Sequence, residues 1–174
     1  MAKVVYTPET AMMRALQAAY HSPAPRRKVG CAIWRPTGIL ATTCNAPPNG
    51  VPNCKDGGCW EVEGACRRNC HSEVYAIALC ARNGISTNGA FVCVTEQPCI
   101  DCAREMKIAG IQEVWYWRPS DYPRAYYGDM PAHYDNVGLL SRTLARPDGT
   151  YATELLEFEK QLKNTLKKDL AKGG

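Results

Sequence analysis

Ten cysteines fall within the first 102 residues of this 174-residue chain and none follows Cys102. Thiols this dense must be cross-linked, bound to metal, or buried as small apolar groups, so their placement constrains the fold strongly. The opening Met1-Ala2-Lys3-Val4-Val5-Tyr6 has no apolar signal core, and a reducing, cytoplasmic setting is expected. There, cysteines serve as ligands, catalytic groups or core residues rather than disulfides. Cys31, Cys80 and Cys93 stand among apolar neighbours and read as core. The other cysteines need a chemical reason.

Local patterns place those thiols on elements. Thr7-Pro8-Glu9 opens a helix, with Thr7 as N-cap and Met13, Leu16, Ala19 and Tyr20 at helical spacing. Val29 to Trp34 and Ile39 to Thr43 read as a hairpin across the Arg35-Pro36-Thr37-Gly38 turn. Residues 44–66 are rich in Asn, Pro, Gly and Cys; so long an aperiodic loop calls for a metal clip. Val74 to Arg82 is predicted helical, with Ile77 and Ala78 inward and Asn83-Gly84 as its stop. A strand at 90–95, a helix at 102–109 and a strand at 113–117 follow. That alternation predicts a partly parallel sheet with helices on its faces. Residues 118–136 are aromatic and irregular, and no fifth strand is evident after Trp117. Tyr151 to Leu170 is amphipathic, with Leu155, Leu156, Phe158, Leu162 and Leu166 on one side for packing.

The length suits one domain, 1–174, with a core of about 7–122 and a remainder, 123–174, of aromatic loop and C-terminal helix. Hydrophobic residues make up 45% and charged residues 22%, which excludes disorder as the main state. No apolar run approaches a membrane span. The net charge of +4 suits a small anionic ligand and is too weak to require nucleic acid.

Two short motifs carry the chemistry. His71-Ser72-Glu73 is followed, after 24 residues, by Pro98-Cys99-Ile100-Asp101-Cys102. Zinc takes nitrogen and sulfur donors in a tetrahedron, and a catalytic site leaves one corner to water. His71, Cys99 and Cys102 are the candidate donors, and Glu73 is the candidate proton shuttle. A C-x-x-C at a helix start sets both thiolates on its first turn, where the helix N-terminus favours their charge. The combined pattern resembles that of zinc-dependent nucleobase deaminases. A second group, Cys54, Cys59, Cys66 and Cys70, is spaced C-x4-C-x6-C-x3-C and reads as a closed structural zinc site. Its fourth donor is left open between Cys70 and His21; a metal-free loop with buried thiols is the alternative.

From about Arg26 to Tyr122 the chain resembles the deoxycytidylate (dCMP) deaminase family of bacteria and phages. The resemblance rests on Val29-Gly30-Cys31-Ala32-Ile33, Cys44-Asn45-Ala46-Pro47-Pro48-Asn49-Gly50, Asn53-Cys54 through Cys66, His71-Ser72-Glu73-Val74-Tyr75-Ala76-Ile77, Ala81-Arg82-Asn83-Gly84, Val94-Thr95-Glu96-Gln97-Pro98-Cys99 and Asp121-Tyr122. It implies a three-layer α-β-α cytidine-deaminase-like fold with a mixed sheet of about five strands, and zinc-dependent conversion of dCMP to dUMP for thymidylate synthesis. It also implies a homo-hexamer controlled by dCTP and dTTP, and a second, structural zinc. Nucleotide contacts would fall to Arg26, Asn45, Ser72, Thr95, Tyr122 and Arg124, and effector contacts to Asn49, Gly50 and Arg82. Two positions depart from the family: Tyr75 stands where an asparagine is usual and Cys44 where a tyrosine is. They leave room for a 5-substituted dCMP or for dCTP as substrate. A single-stranded DNA or tRNA deaminase is a competing class, with Trp115, Trp117, Tyr126 and Tyr127 as stacking faces. A catalytically dead binding module is a third, but the chain retains Glu73.

Overall fold

The first helix, α1 (Pro8–Tyr20), begins where Thr7 supplies its cap. The Thr7 side chain accepts from the Thr10 backbone N–H at 3.4 Å, and Thr10 Oγ1 accepts from the Thr7 N–H at 2.8 Å. Strands β1 (Gly30–Arg35) and β2 (Gly38–Cys44) form the expected antiparallel hairpin, in register from Gly30↔Cys44 to Arg35↔Gly38. Glycine is required at position 30 by the approach of α1. A Cβ there would lie 1.9 Å from the Ala15 carbonyl oxygen. The computed structural model describes residues 5–62, 65–120, 130–145 and 153–172.

The cysteine-rich loop contains a single helical turn, α2 (Cys54–Gly57), and a short hairpin of β3 (Glu61–Val62) with β4 (Ala65–Cys66). After it come α3 (Ser72–Arg82), β5 (Phe91–Glu96), α4 (Ile100–Ile108) and β6 (Glu113–Arg118). The remaining elements are α5 (Met130–Val137), β7 (Leu140–Thr143) and α6 (Thr153–Lys172). The sheet runs β2-β1-β5-β6-β7. Its β1–β2 and β1–β5 pairs are antiparallel, and β5–β6 and β6–β7 are parallel.

Alternation along the strands divides the core into two layers. Cys31, Ile33, Val92, Val94 and Val114 face one layer, with Ala76 and Cys80 of α3, Ala103 and Met106 of α4, and Tyr134 of α5. Ala32, Trp34, Cys93 and Trp117 face the other, with Met12 and Leu16 of α1 and Leu155 of α6. The result is three layers, α-β-α, around a mixed five-stranded sheet. Cys31, Cys80 and Cys93 are buried core residues, as expected.

Four expectations are corrected. A fifth strand does exist, β7, at the sheet edge; its residues are mostly exposed, so no apolar alternation marked it. Part of the stretch expected to be irregular, 118–136, is helical as α5. Ala76 and Cys80, rather than Ala78, face inward from α3, because the helix starts at Ser72 and its buried face follows from Glu73. On α6, Leu155 is fully buried, worth about 1.5–3 kcal/mol for such a side chain. Phe158 and Leu162 pack partly beside it. Leu156 is 43% exposed, because residues adjacent in a helix point about 100° apart. The Leu166 side chain and Tyr151 lie outside the described residues.

Candidate metal centre and nucleotide site

Two helix starts meet at the site. His71 is the N-cap residue of α3, and Cys99 is the N-cap residue of α4, its sulfur 3.5 Å from the Cys102 backbone N–H. His71 Nδ1 lies 3.3 Å from Cys102 Sγ and 3.5 Å from Cys99 Sγ. All three donor atoms fall within 4.8 Å of one another. Zinc bonds of about 2.3 Å to sulfur and about 2.0–2.1 Å to nitrogen, at a tetrahedral angle, require an N–S separation of about 3.6 Å. The two nitrogen–sulfur separations therefore stand close to the edge length of a zinc tetrahedron, and the donor set fits the ion.

The three donor side chains perturb one another's proton affinities. The Cys99 thiol is pulled down to about 4, chiefly by its contact with Cys102 and then by His71, against burial. The imidazole of His71 is raised to about 9, chiefly by Cys99. Cys102 is raised by Cys99 and by burial. The directions favour a thiolate at Cys99 with protons retained on Cys102 and His71, the protons that a bound zinc would displace.

Glu73 is 4% exposed, and its carboxyl reaches Cys102. Burial pushes the carboxyl up from its ordinary range, and His71 partly opposes that. Ser72 Oγ donates to Glu73 Oε2 at 2.9 Å, and the Ser72 carbonyl accepts from Thr43 Oγ1 at 2.7 Å. Ser72 thus holds the glutamate, and Thr43 holds the start of α3 against β2.

Asn45 organises the chain before β1. Its Oδ1 accepts from the Val29 N–H at 2.9 Å and from Ser22 Oγ at 2.6 Å, and its Nδ2 donates to the Arg27 carbonyl at 2.9 Å. One N–H of the amide is left outside this clamp. Thr95 Oγ1 accepts from the Gly30 N–H at 3.0 Å, tying β5 to β1. Arg26 pairs with Glu61 of the β3–β4 hairpin at 2.6 Å, and Arg27 with Glu96 at 2.9 Å. Tyr122 and Arg124 lie outside the described residues.

The second thiol group is smaller than expected. Cys54, Cys59 and Cys66 bring their sulfurs within 4.8 Å of one another, with Cys54 and Cys66 at 3.6 Å. Cys70 is not among them: its N–H bonds to the Ala46 carbonyl at 2.9 Å in an isolated bridge, immediately before His71. His21, the C-cap residue of α1, is not in the cluster either. Cys59 is pushed up to about 12, first by its contact with Cys66. Burial alone would raise Cys66, but the Asn69 backbone N–H and the Cys59 thiol outweigh it and lower it. The Arg68 guanidinium stitches the loop, donating to the carbonyls of Pro52 at 3.3 Å and Gly57 at 3.1 Å.

The candidate effector residues divide. Asn49 accepts from the Tyr75 hydroxyl at 2.8 Å, and neighbouring Gly50 has φ +84°. Arg82 lies seven residues beyond Tyr75, about 10 Å further along α3, where it also meets the negative end of the helix. Trp117 is 1% exposed and offers no stacking face, and Tyr126 and Tyr127 lie outside the described residues.

Two residues near the site had no place in the sequence reading. Ser22 is 3% exposed and hydrogen-bonds both oxygens of Asn45, yet no local pattern distinguishes it from an ordinary post-helical serine. Tyr134 is 2% exposed, and its hydroxyl donates to the Pro98 carbonyl. The spacing of Met130, Tyr134 and Val137 was the available signal, masked by the aromatic loop before it.

The profile of the cytidine and deoxycytidylate deaminase zinc-binding region matches residues 6–118. ComE operon protein 2 of Bacillus subtilis is 38% identical over 98 residues, 56% of this chain and 52% of that protein. The deoxycytidylate deaminase of Schizosaccharomyces pombe is 33% identical over 113 residues, 60% of this chain and 35% of that protein. The chain thus spans about half or less of the length of these curated relatives. Among solved structures, the dCMP deaminase of cyanophage S-TIM5 in complex with dCMP and dUMP aligns with a TM-score of 0.65 at 25% identity. That match covers 78% of this chain and 94% of the phage chain.

Proposed function

Because the chain belongs to the cytidine and deoxycytidylate deaminase family and has its fold, we propose that it is a zinc-dependent deaminase of dCMP, yielding dUMP and ammonia. The observation that carries this reading is the His71–Cys99–Cys102 triad at zinc-ligand spacing, with buried Glu73 reaching into it. Zinc held by the triad would supply the Lewis acidity that makes water nucleophilic near neutral pH.

The chain's own groups supply the proton traffic. Glu73 accepts a proton from the attacking water and delivers it to the ring nitrogen beside the reacting carbon. It then carries the second proton to the departing amine, so that ammonia leaves and a carbonyl remains. Burial raises the proton affinity of Glu73 and suits it to this exchange. Ser72, bonded to Oε2, fixes the carboxylate plane. Asn45 holds the 26–29 segment in place and presents its remaining N–H to the nucleotide. Arg26 takes the 5′-phosphate, exchanging Glu61 for the substrate anion. Tyr122 and Arg124 are assigned to the nucleotide on the resemblance alone.

The Cys54–Cys59–Cys66 cluster is read as a second, structural zinc site that orders the loop bearing Glu61. Control by dCTP and dTTP through Asn49, Gly50 and Arg82, a hexameric assembly and a cytoplasmic setting belong to the same reading. Among the described residues no helix is long and apolar enough to cross a membrane.

Ammonia release from dCMP, cytidine, dCTP and a cytosine-containing oligonucleotide tests the assignment. Turnover of dCMP, with cytidine a poorer substrate for want of a phosphate, is expected. Turnover of the oligonucleotide alone would overturn it.

A further inference from the structure

Tyr134 connects α5 to the start of α4 at the one point where α4 carries two of the triad's sulfurs. It lies outside the matched residues 6–118. Its ring is buried in the layer that includes Cys99, Cys102, Ala103 and Met106. Its hydroxyl donates to the carbonyl of Pro98, itself among the fully buried side chains. Pro98 has no backbone N–H and immediately precedes Cys99, so the turn entering α4 is held through its carbonyl. Behind Tyr134 the backbone is closed tightly. The Leu139 N–H bonds to the Tyr134 carbonyl at 3.1 Å, and Gly138 turns with φ +68° into β7.

Resting on the reading of the triad as the zinc site, we propose that Tyr134 is a positioning residue for that centre: its hydroxyl fixes the Pro98–Cys99 peptide and thereby the Cys99 thiolate. Groups that hold a metal ligand from behind set its orientation, and their loss commonly costs 10–100-fold in metal affinity. Through Tyr134, α5 delivers a hydrogen-bond donor to the turn that precedes the metal site.

The test uses Tyr134→Phe, which deletes the hydroxyl and keeps the ring. Zinc affinity is measured by chelator competition, with His71→Ala giving the contribution of the triad by difference. The expected result is a 10–100-fold weaker triad site, with shifted cobalt(II)–thiolate absorption bands in the cobalt-substituted protein and a larger loss of stability in the zinc-loaded than in the metal-free form. Unchanged zinc affinity and an unchanged cobalt spectrum in Tyr134→Phe would overturn the proposal. So would equal destabilisation of the metal-free and loaded forms, the signature of packing alone. In the unaltered protein, the Tyr134 Cζ resonance must move on zinc loading, and a stationary resonance would also count against the role. If the unaltered protein shows no zinc affinity that His71→Ala removes, the failure lies in the zinc reading rather than in Tyr134.

Discussion

The triad and the loop cluster each gather three donor atoms within 4.8 Å, but they are built by different means. The triad is assembled from two helix starts whose flanks are buried: Ser72, Glu73, Cys102 and Ala103 are all under 5% exposed. The loop cluster is assembled from a single helical turn and a two-residue hairpin, with Cys59 exposed and Trp60 61% exposed beside it. Regular elements hold the triad's donors in place. The loop has little apolar burial, so a metal there would contribute to order rather than to reaction. Similar donors therefore take different duties according to what the backbone can fix unaided. Among the described residues, the buried carboxylate of Glu73 stands beside the triad, which agrees with that division.

The sharpest way to break the comparison is Glu73→Gln. It preserves shape and leaves the three donors intact, so zinc content stays at the unaltered level while turnover of dCMP falls by about 10²–10⁴-fold. Near-normal turnover would remove Glu73 from the chemistry. Arg26→Ala tests whether the loop reaches the substrate through the Glu61 pair. KM for dCMP should rise about 10-fold with KM for deoxycytidine unchanged; equal changes for both would take Arg26 out of the phosphate site. Cys66→Ser should empty the loop of metal and lower the melting temperature by about 5–10 °C, equivalent to about 2–3 kcal/mol in a chain of this size. Activity at low temperature should fall only a few-fold, and a loss as deep as that of Glu73→Gln would erase the distinction between the clusters.

The smallest effect is on pH dependence in the metal-free protein. His71 is raised to about 9 from 6.5, so its contribution to stability is complete below 6.5 and is lost as pH rises through about 9. Cys99 is lowered to about 4 from 9.0, so its contribution is complete above 9.0 and is lost as pH falls through about 4. Denaturant titrations of the metal-free chain should show stability rising between about 4 and 6.5, level from 6.5 to 9 where the loss at His71 offsets the gain at Cys99, and falling above 9 because Cys102 is raised; in His71→Ala the level stretch should give way to a continued rise.

The parts legible in the sequence were those that local chemistry dictates. Thr7-Pro8 marked a helix start, the Arg35–Gly38 turn marked a hairpin, and the histidine, glutamate and C-x-x-C spacings marked which side chains share a site. What escaped was set by distant contacts. Cys70 continues the cysteine spacing, but its backbone pairs with Ala46 and it is not in the loop cluster. The strand Leu140–Thr143 owes its existence to pairing with β6 rather than to an apolar pattern of its own. Arg26 reads as a free cation in the sequence, and only the folded hairpin supplies Glu61 as its partner. Tyr134 lies 36 residues from Pro98, a contact no spacing rule announces.

Anomalous diffraction at the zinc edge from zinc-loaded crystals tests the central claim most directly. The account predicts one ion about 2.3 Å from the sulfurs of Cys99 and Cys102 and about 2.0–2.1 Å from His71 Nδ1, with Glu73 adjacent but not bonded to it. Those three side chains turned away from each other, with no anomalous peak between them after full loading, would contradict it.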